Sequence, residues 1–166
     1  MADYRAIAAV GSALVAVLEE AASAPGSEFA DLPVALVQGG RLADGMASGL
    51  SVYLRHVSPR TATLAPGSGD LPARALTVDL HYLVTAWADG AEVQQRVLGW
   101  CLRTLHETPV LPGDALQPEG GDVFSPTERV ALELEPLTPA ELREAWTADS
   151  PLPPSLAYCV KSLQIR

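Results

Sequence analysis

Basic residues are scarce in this chain. Eleven Lys and Arg stand against twenty Asp and Glu in 166 residues, a formal net charge of −9. Non-specific nucleic-acid binding needs clustered cations to displace counterions, and docking on an anionic membrane needs the same. Neither partner is expected. Cysteine is nearly absent: Cys101 and Cys159 are the two, with no zinc-type spacing. Each sits in an apolar pattern, which reads as a buried free thiol; a disulfide between them stays open at this level. No apolar run reaches the ~20 residues that span a bilayer. The N-terminus reads as an amphipathic helix and not as a signal peptide, so the chain is expected to be cytoplasmic as synthesised. Also missing are a glycine-rich phosphate loop between strand and helix, a G-x-S-x-G elbow and an HExxH pair. No catalytic, cofactor-binding or metal-ligating residue is therefore expected, and no cofactor.

What is present is a strongly patterned core sequence. Hydrophobic residues make up 48% of the chain, with 14 Pro and 13 Gly. This favours a folded body with stiff, irregular loops. The organising stretch is 76–109. Val78, Leu80, Tyr82, Val84 and Ala86 alternate with Thr77, Asp79, His81, Thr85 and Trp87. The period of two predicts a long central strand with one apolar face and one half-covered face. Asp89-Gly90 makes a turn. Val93, Val97, Cys101 and Leu105 then mark a helix stripe widened by Leu98 and Leu102. Glu92 and Arg96 have pairing distance on its outer side, and Pro109 stops it.

Asp3 is the expected N-cap of a first helix with Tyr4, Ile7, Val10, Leu14, Val17 and Leu18 on its apolar face, ending near Ala22. Residues 32–37 read as an edge strand demoted by Pro33, and 50–57 as a second strand. Between them 42–49 is a crossing; 58–73 and 111–127 are Pro/Gly-rich loops. Val130, Leu132 and Leu134 alternate with Glu133 and Glu135 on a half-buried strand. Thr138, Pro139 and Glu141 write a capping box with Pro at the first helical position, and Leu137 and Leu142 a hydrophobic staple. That helix is expected to run to about Ala148, with Trp146 on its apolar side. Residues 155–166 form a last strand. The order predicts an α+β fold: a mixed, mainly antiparallel sheet with packed helices, as a single domain over 1–166.

Few residues suggest chemistry. Asp79 and His81 share a strand face, but no nucleophile has a recognisable context. The alternative is a polar patch or a subunit contact. Glu133 and Glu135 read as a solvated face. Trp87, Trp100 and Trp146 suit either core or interface. The last strand has apolar residues on both faces: Leu156, Tyr158 and Val160 on one, with Leu163 and Ile165 continuing the second. It reads either as an ordinary internal strand or as an edge that accepts a partner strand.

Taken together the segments resemble a known family. DYRAIAAVGSALVAVLEEA is similar to the opening helix of the cap, or tail-terminator, proteins of extracellular contractile injection systems, which are phage-tail-like particles. GLSVYLRHVSPR resembles its first marked strand. LTVDLHYLVTAWAD, followed by a helix from Leu98-Gly99 to Leu111, resembles its core, and LELEPLTPAELREAW its closing pattern. The resemblance spans nearly the whole chain; the 58–73 loop departs from it, being shorter than in many relatives. It implies a tail-terminator-like fold in a homohexameric ring that ends the inner tube, anchors the last sheath layer, stops polymerisation and stabilises the extended state, without catalysis. The partners so implied are the tube protein, the sheath protein and the chain itself. A pairing role in that assembly is expected of Leu156, Tyr158, Val160, Lys161, Leu163, Ile165 and Arg166. Rival readings are a baseplate or neck adaptor of the same particle, a stand-alone binding domain, and an enzyme working through Asp79 and His81.

Overall fold

The structure is a computed structural model. It describes residues 2–39, 46–60, 76–111, 115–117, 123–125, 127–146 and 152–165. Half of the 42–49 crossing, the 61–73 part of the expected loop and Arg166 lie outside these. The last helix, expected to run to about Ala148, is corrected: it ends at Ala145, where Trp146 turns to extended backbone.

Among the described residues six strands and three helices follow one another as α1 (Ala6–Ala22), β1 (Val34–Val37), β2 (Gly49–Arg60), β3 (Leu76–Trp87), α2 (Ala91–Glu107), β4 (Val110–Leu111), β5 (Val130–Leu134), α3 (Pro139–Ala145) and β6 (Ser155–Ile165). The sheet order is β1-β2-β3-β6-β5-β4. β1 runs parallel to β2, and the other neighbours are antiparallel. The expected α+β fold is the one observed. Only the two-residue β4 was not foreseen.

β3 is central, as its alternation predicts. Val78, Leu80, Tyr82, Val84 and Ala86 are buried against α1 and α2 in the main core. α1 buries Ala6, Ala9, Val10, Ala13, Leu14, Val17, Leu18 and Ala22. Its small residues bring it close to the sheet: a Cβ on Gly11 would meet Leu36 at 3.2 Å. Two expectations at this end are corrected. The N-cap of α1 is Arg5, without a side-chain cap. Asp3 instead accepts from the Arg5 backbone N–H at 2.8 Å and from its guanidinium, and the helix begins two residues later than an Asp3 cap implies. Tyr4 therefore precedes the helix and is 80% exposed.

α2 buries Val97, Cys101, Thr104 and Leu105. Val93 and Leu102 lie outside that stripe and are exposed. Arg96 pairs with Glu28, in the segment after α1, and not with Glu92. β5 buries Val130 and Leu132, while Leu134, at its end, is exposed.

The other face of the sheet is half covered. Leu83 is fully buried there with Trp146 and Ala157. Tyr53, Trp87, Leu137, Leu142 and Leu152 pack against the same cluster. α3 holds this cover in place, and its start is the expected one: Thr138 accepts from the Glu141 N–H, Glu141 reaches back to the Thr138 N–H, and Pro139 follows the cap.

Two register shifts set which side chains reach the open part of this face. One falls between Leu54 and His56 of β2. Leu50, Val52, Leu54 and Val57 all touch the main core, so the shift turns both Arg55 and His56 outward. The second falls between Val78 and Leu80, opposite the segment after Val160. Ser162 there has φ +59°. The shift returns Leu163 and Ile165 to the face of Tyr158 and Val160, all four in the main core. The expectation that Leu163 and Ile165 continue the second face is corrected by this bulge.

Candidate functional site

The open part of the outer face carries a polar network contributed by β2, β3 and the residue after β5. Glu135 is its hub. Arg55 Nη2 donates to Glu135 Oε2 at 2.7 Å. His81 Nδ1 lies 3.1 Å from both Glu135 oxygens, and His81 Nε2 lies 3.1 Å from Ser58 Oγ. Burial disfavours ionised Glu135, but the His81 and Arg55 hydrogen bonds outweigh it and hold the carboxyl below its ordinary value. An ionised carboxylate only accepts. His81 Nδ1 therefore carries a proton, and in a neutral imidazole Nε2 is then the acceptor for the Ser58 hydroxyl. Beside this chain the His56 ring stands 5.6 Å from that of His81.

Asp79 belongs to a second group. Arg60 Nε and Nη2 donate to its Oδ2 at 2.8 and 2.6 Å, and the Ser162 N–H donates to Oδ1 at 2.8 Å. Its burial raises the carboxyl pKa, yet the Ser162 and Arg60 bonds prevail and it sits below its ordinary value. The pairing of Asp79 with His81 drawn from the sequence is thus replaced. Each residue is held by other partners, and His81 is joined to Ser58 and Glu135, 23 and 54 residues away in the chain. Glu133 and Glu135 also separate: Glu133 pairs with Lys161 at the surface, whereas Glu135 is half-buried in the network. Ser58 escaped notice because the sequence places it in a loop. It is in fact within β2, directly opposite Asp79.

A cleft of about 340 Å³ lies over the network, lined by Arg55, His56, Ser58, His81, Glu135, Leu137 and the acidic Glu141 and Glu144 of α3. A larger one, about 550 Å³, lies between the end of α1 and α2; the Phe29 and Trp100 rings meet in it at 5.2 Å, tilted by 46°, beside Arg96 and Arg103. Among the described residues no three His, Cys, Asp or Glu are grouped to hold a metal ion, and no helix is long and apolar enough to cross a membrane. Cys101 and Cys159 are free and buried. Burial pushes the Cys101 thiol up to about 12 and, with Glu135 and Asp79 nearby, the Cys159 thiol up to about 11. Both are therefore protonated and unreactive at neutral pH.

The terminal strand takes the internal position of the two left open by the sequence. β6 pairs with β3 along its length and with β5 over Tyr158, Cys159 and Val160. Tyr158, Val160, Leu163 and Ile165 point into the main core, and Leu156 packs against it. Lys161 is exposed. The ladder from β5 stops at Val160; beyond it, among the described residues, the same edge carries a bridge from Ala2 to Ile165. What this strand can present outward past Val160 is its backbone and the exposed side chains of Lys161, Ser162 and Gln164. Arg166 lies outside the described residues.

No curated protein matches the chain. Among solved structures the fold is similar to that of the PVC sheath/tube terminator of an extracellular contractile injection system, determined by cryo-electron microscopy in the extended state. The TM-score is 0.57 and the identity 17%; the match covers 96% of this chain and 57% of that one. The chain thus spans little more than half the length of the terminator whose fold it shares. The model of the family described as the Pvc16 N-terminal domain matches residues 9–166, from the first turn of α1 through the end of β6, and the chain belongs to that family.

Proposed function

We propose that this protein is a structural terminator of a contractile injection particle. In this reading its copies form a six-fold ring on the end of the inner tube, contact the last sheath layer, stop polymerisation and hold the sheath extended. The observation that carries the proposal is the family match over residues 9–166. The fold shared with a sheath/tube terminator supports it. The mechanism is geometric and uses no catalysis: the ring offers the growing end one matching surface and no second one. The 166 residues act as one domain, cytoplasmic as synthesised and then part of the assembled particle, with tube, sheath and neighbouring copies as partners.

The β6 segment enters this reading through its outer half. Tyr158, Val160, Leu163 and Ile165 keep the sheet packed on α1 and so fix the geometry of the surface. The backbone past Val160 and the Lys161 side chain meet the partner. Removing 155–166 would take out the strand between β3 and β5 and is expected to unfold the domain, so it cannot test docking. With net charge −9 on every copy, ring closure is expected to tighten as salt screens the repulsion between copies.

The test is electron microscopy of particles from cells with and without the gene. Overlong, broken or spontaneously contracted particles in the deletion support the terminator. Extended particles of normal length overturn it.

A further inference from the structure

We propose that Ser58 is the activated nucleophile of a small acyl-transfer site, with His81 as its general base and Glu135 as the positioning residue that fixes the imidazole. This goes beyond the terminator reading and does not depend on it.

The arrangement meets the geometric requirement for an activated serine. A hydroxyl lies within hydrogen-bond reach of an imidazole nitrogen, 3.1 Å from Ser58 Oγ to His81 Nε2. The opposite ring nitrogen is 3.1 Å from a carboxylate, which selects the tautomer that leaves Nε2 free to take a proton. The carboxylate is itself anchored by Arg55, so its orientation does not depend on the imidazole alone. The three residues come from three separate places in the chain. The β2 register shift, a device common beside active sites, turns Arg55 and His56 to the same side. Both residues line the cleft beside Ser58, and both side chains carry N–H groups. A developing oxyanion needs such donors.

The chemistry balances without any added reagent. Ser58 Oγ attacks the carbonyl carbon of an ester, and its proton passes to His81 Nε2. The tetrahedral intermediate collapses by breaking the bond to the alkoxy oxygen, and the departing alcohol takes that proton. Water then attacks the acyl-Ser58 ester by the same route. The acid leaves, and Oγ regains its proton. The cleft, about 340 Å³ with Glu141 and Glu144 at its rim, selects small acyl groups without negative charge.

The purified full-length chain is treated with a fluorophosphonate probe, with peptide mapping of the label, and its turnover of p-nitrophenyl acetate is followed in parallel. Wild-type protein is expected to carry the label on Ser58, and Ser58→Ala to carry none. His81→Gln should slow labelling by about 100-fold or more, the usual contribution of a general base. Glu135→Gln should lower the rate and displace its pH profile, which a merely structural role would not do; melting curves of the variants confirm that they fold. Labelling of wild-type protein no faster than that of the urea-unfolded chain overturns the proposal, as does unchanged labelling in His81→Gln. Particle capping by Ser58→Ala is expected to be normal, so the two readings fail separately.

Discussion

Replacing Leu83 by Ala probes whether the outer face of the sheet has its own core. Leu83 is fully buried at the centre of β3 and touches the cluster built by Trp146 and Ala157. Removing three carbon centres costs about 2.4 kcal/mol of transfer free energy at ~0.8 kcal/mol each. Every ~30 Å³ of cavity that fails to collapse adds about 0.7 kcal/mol. The expected loss is about 3 kcal/mol, a large share of the ~5–15 kcal/mol typical of a folded domain. For a chain of this size it corresponds to a fall in Tm of about 6–12 °C. Urea titration followed by circular dichroism gives the stability. Tryptophan fluorescence reports locally, because the Trp87 and Trp146 rings lie 6.0 Å apart beside the site. A loss below about 0.5 kcal/mol, the range of an ordinary surface substitution, would refute the reasoning and mean that α3 does not cover this face.

Three further outcomes follow from single positions. Gly49 has φ +132°, and a Cβ there would lie 2.4 Å from the Pro33 carbonyl oxygen, so Gly49→Ala is expected to cost at least about 2 kcal/mol. Gly90→Ala, where a Cβ meets nothing within 4 Å, is the control; as the N-cap of α2 it should cost only about 0.5–1 kcal/mol, and equal effects in urea melts would contradict the assignment. The Tyr158 hydroxyl is buried with no hydrogen-bond partner among the described residues, so Tyr158→Phe is expected to leave stability unchanged or raise it by up to about 1 kcal/mol, and a clear fall in Tm would mean the hydroxyl is satisfied. Both Asp79 and Glu135 have carboxyls held below their ordinary values. Their stabilisation is complete above the unfolded values near 4 and is lost as pH falls through the lower folded values. Stability measured from pH 6 to 2 should therefore drop below about pH 4, and Glu135→Gln should drop less steeply; identical slopes would remove Glu135 from the account.

The parts of this fold that were legible in the sequence are those fixed locally. The Thr138–Glu141 box needs only four consecutive residues, and the β3 alternation only the pleat, so both were readable. The parts that were not depend on pairing between distant segments. Strict alternation assigns His56 to the apolar side and Leu163 to the outer one; bulges in β2 and at Ser162 of β6 reverse both, and nothing in the flanking residues announces them. Ser58, His81 and Glu135 meet only because β2 and the end of β5 flank β3 and β6 at the right register. Tyr4 fits a helical stripe by spacing, but the bonds from Arg5 to Asp3 hold the chain in a turn there. The terminal strand was ambiguous for the same reason. Apolar residues on both of its faces describe a buried central strand as well as a pairing edge, and only the order β3-β6-β5 separates them.

The most direct test of the terminator role is a cryo-electron microscopy reconstruction of both ends of the intact extended particle. The account expects six copies of this domain in a ring on one end only, the end opposite the baseplate, touching tube and sheath. Density for the chain at the baseplate end, or at neither end, would contradict it.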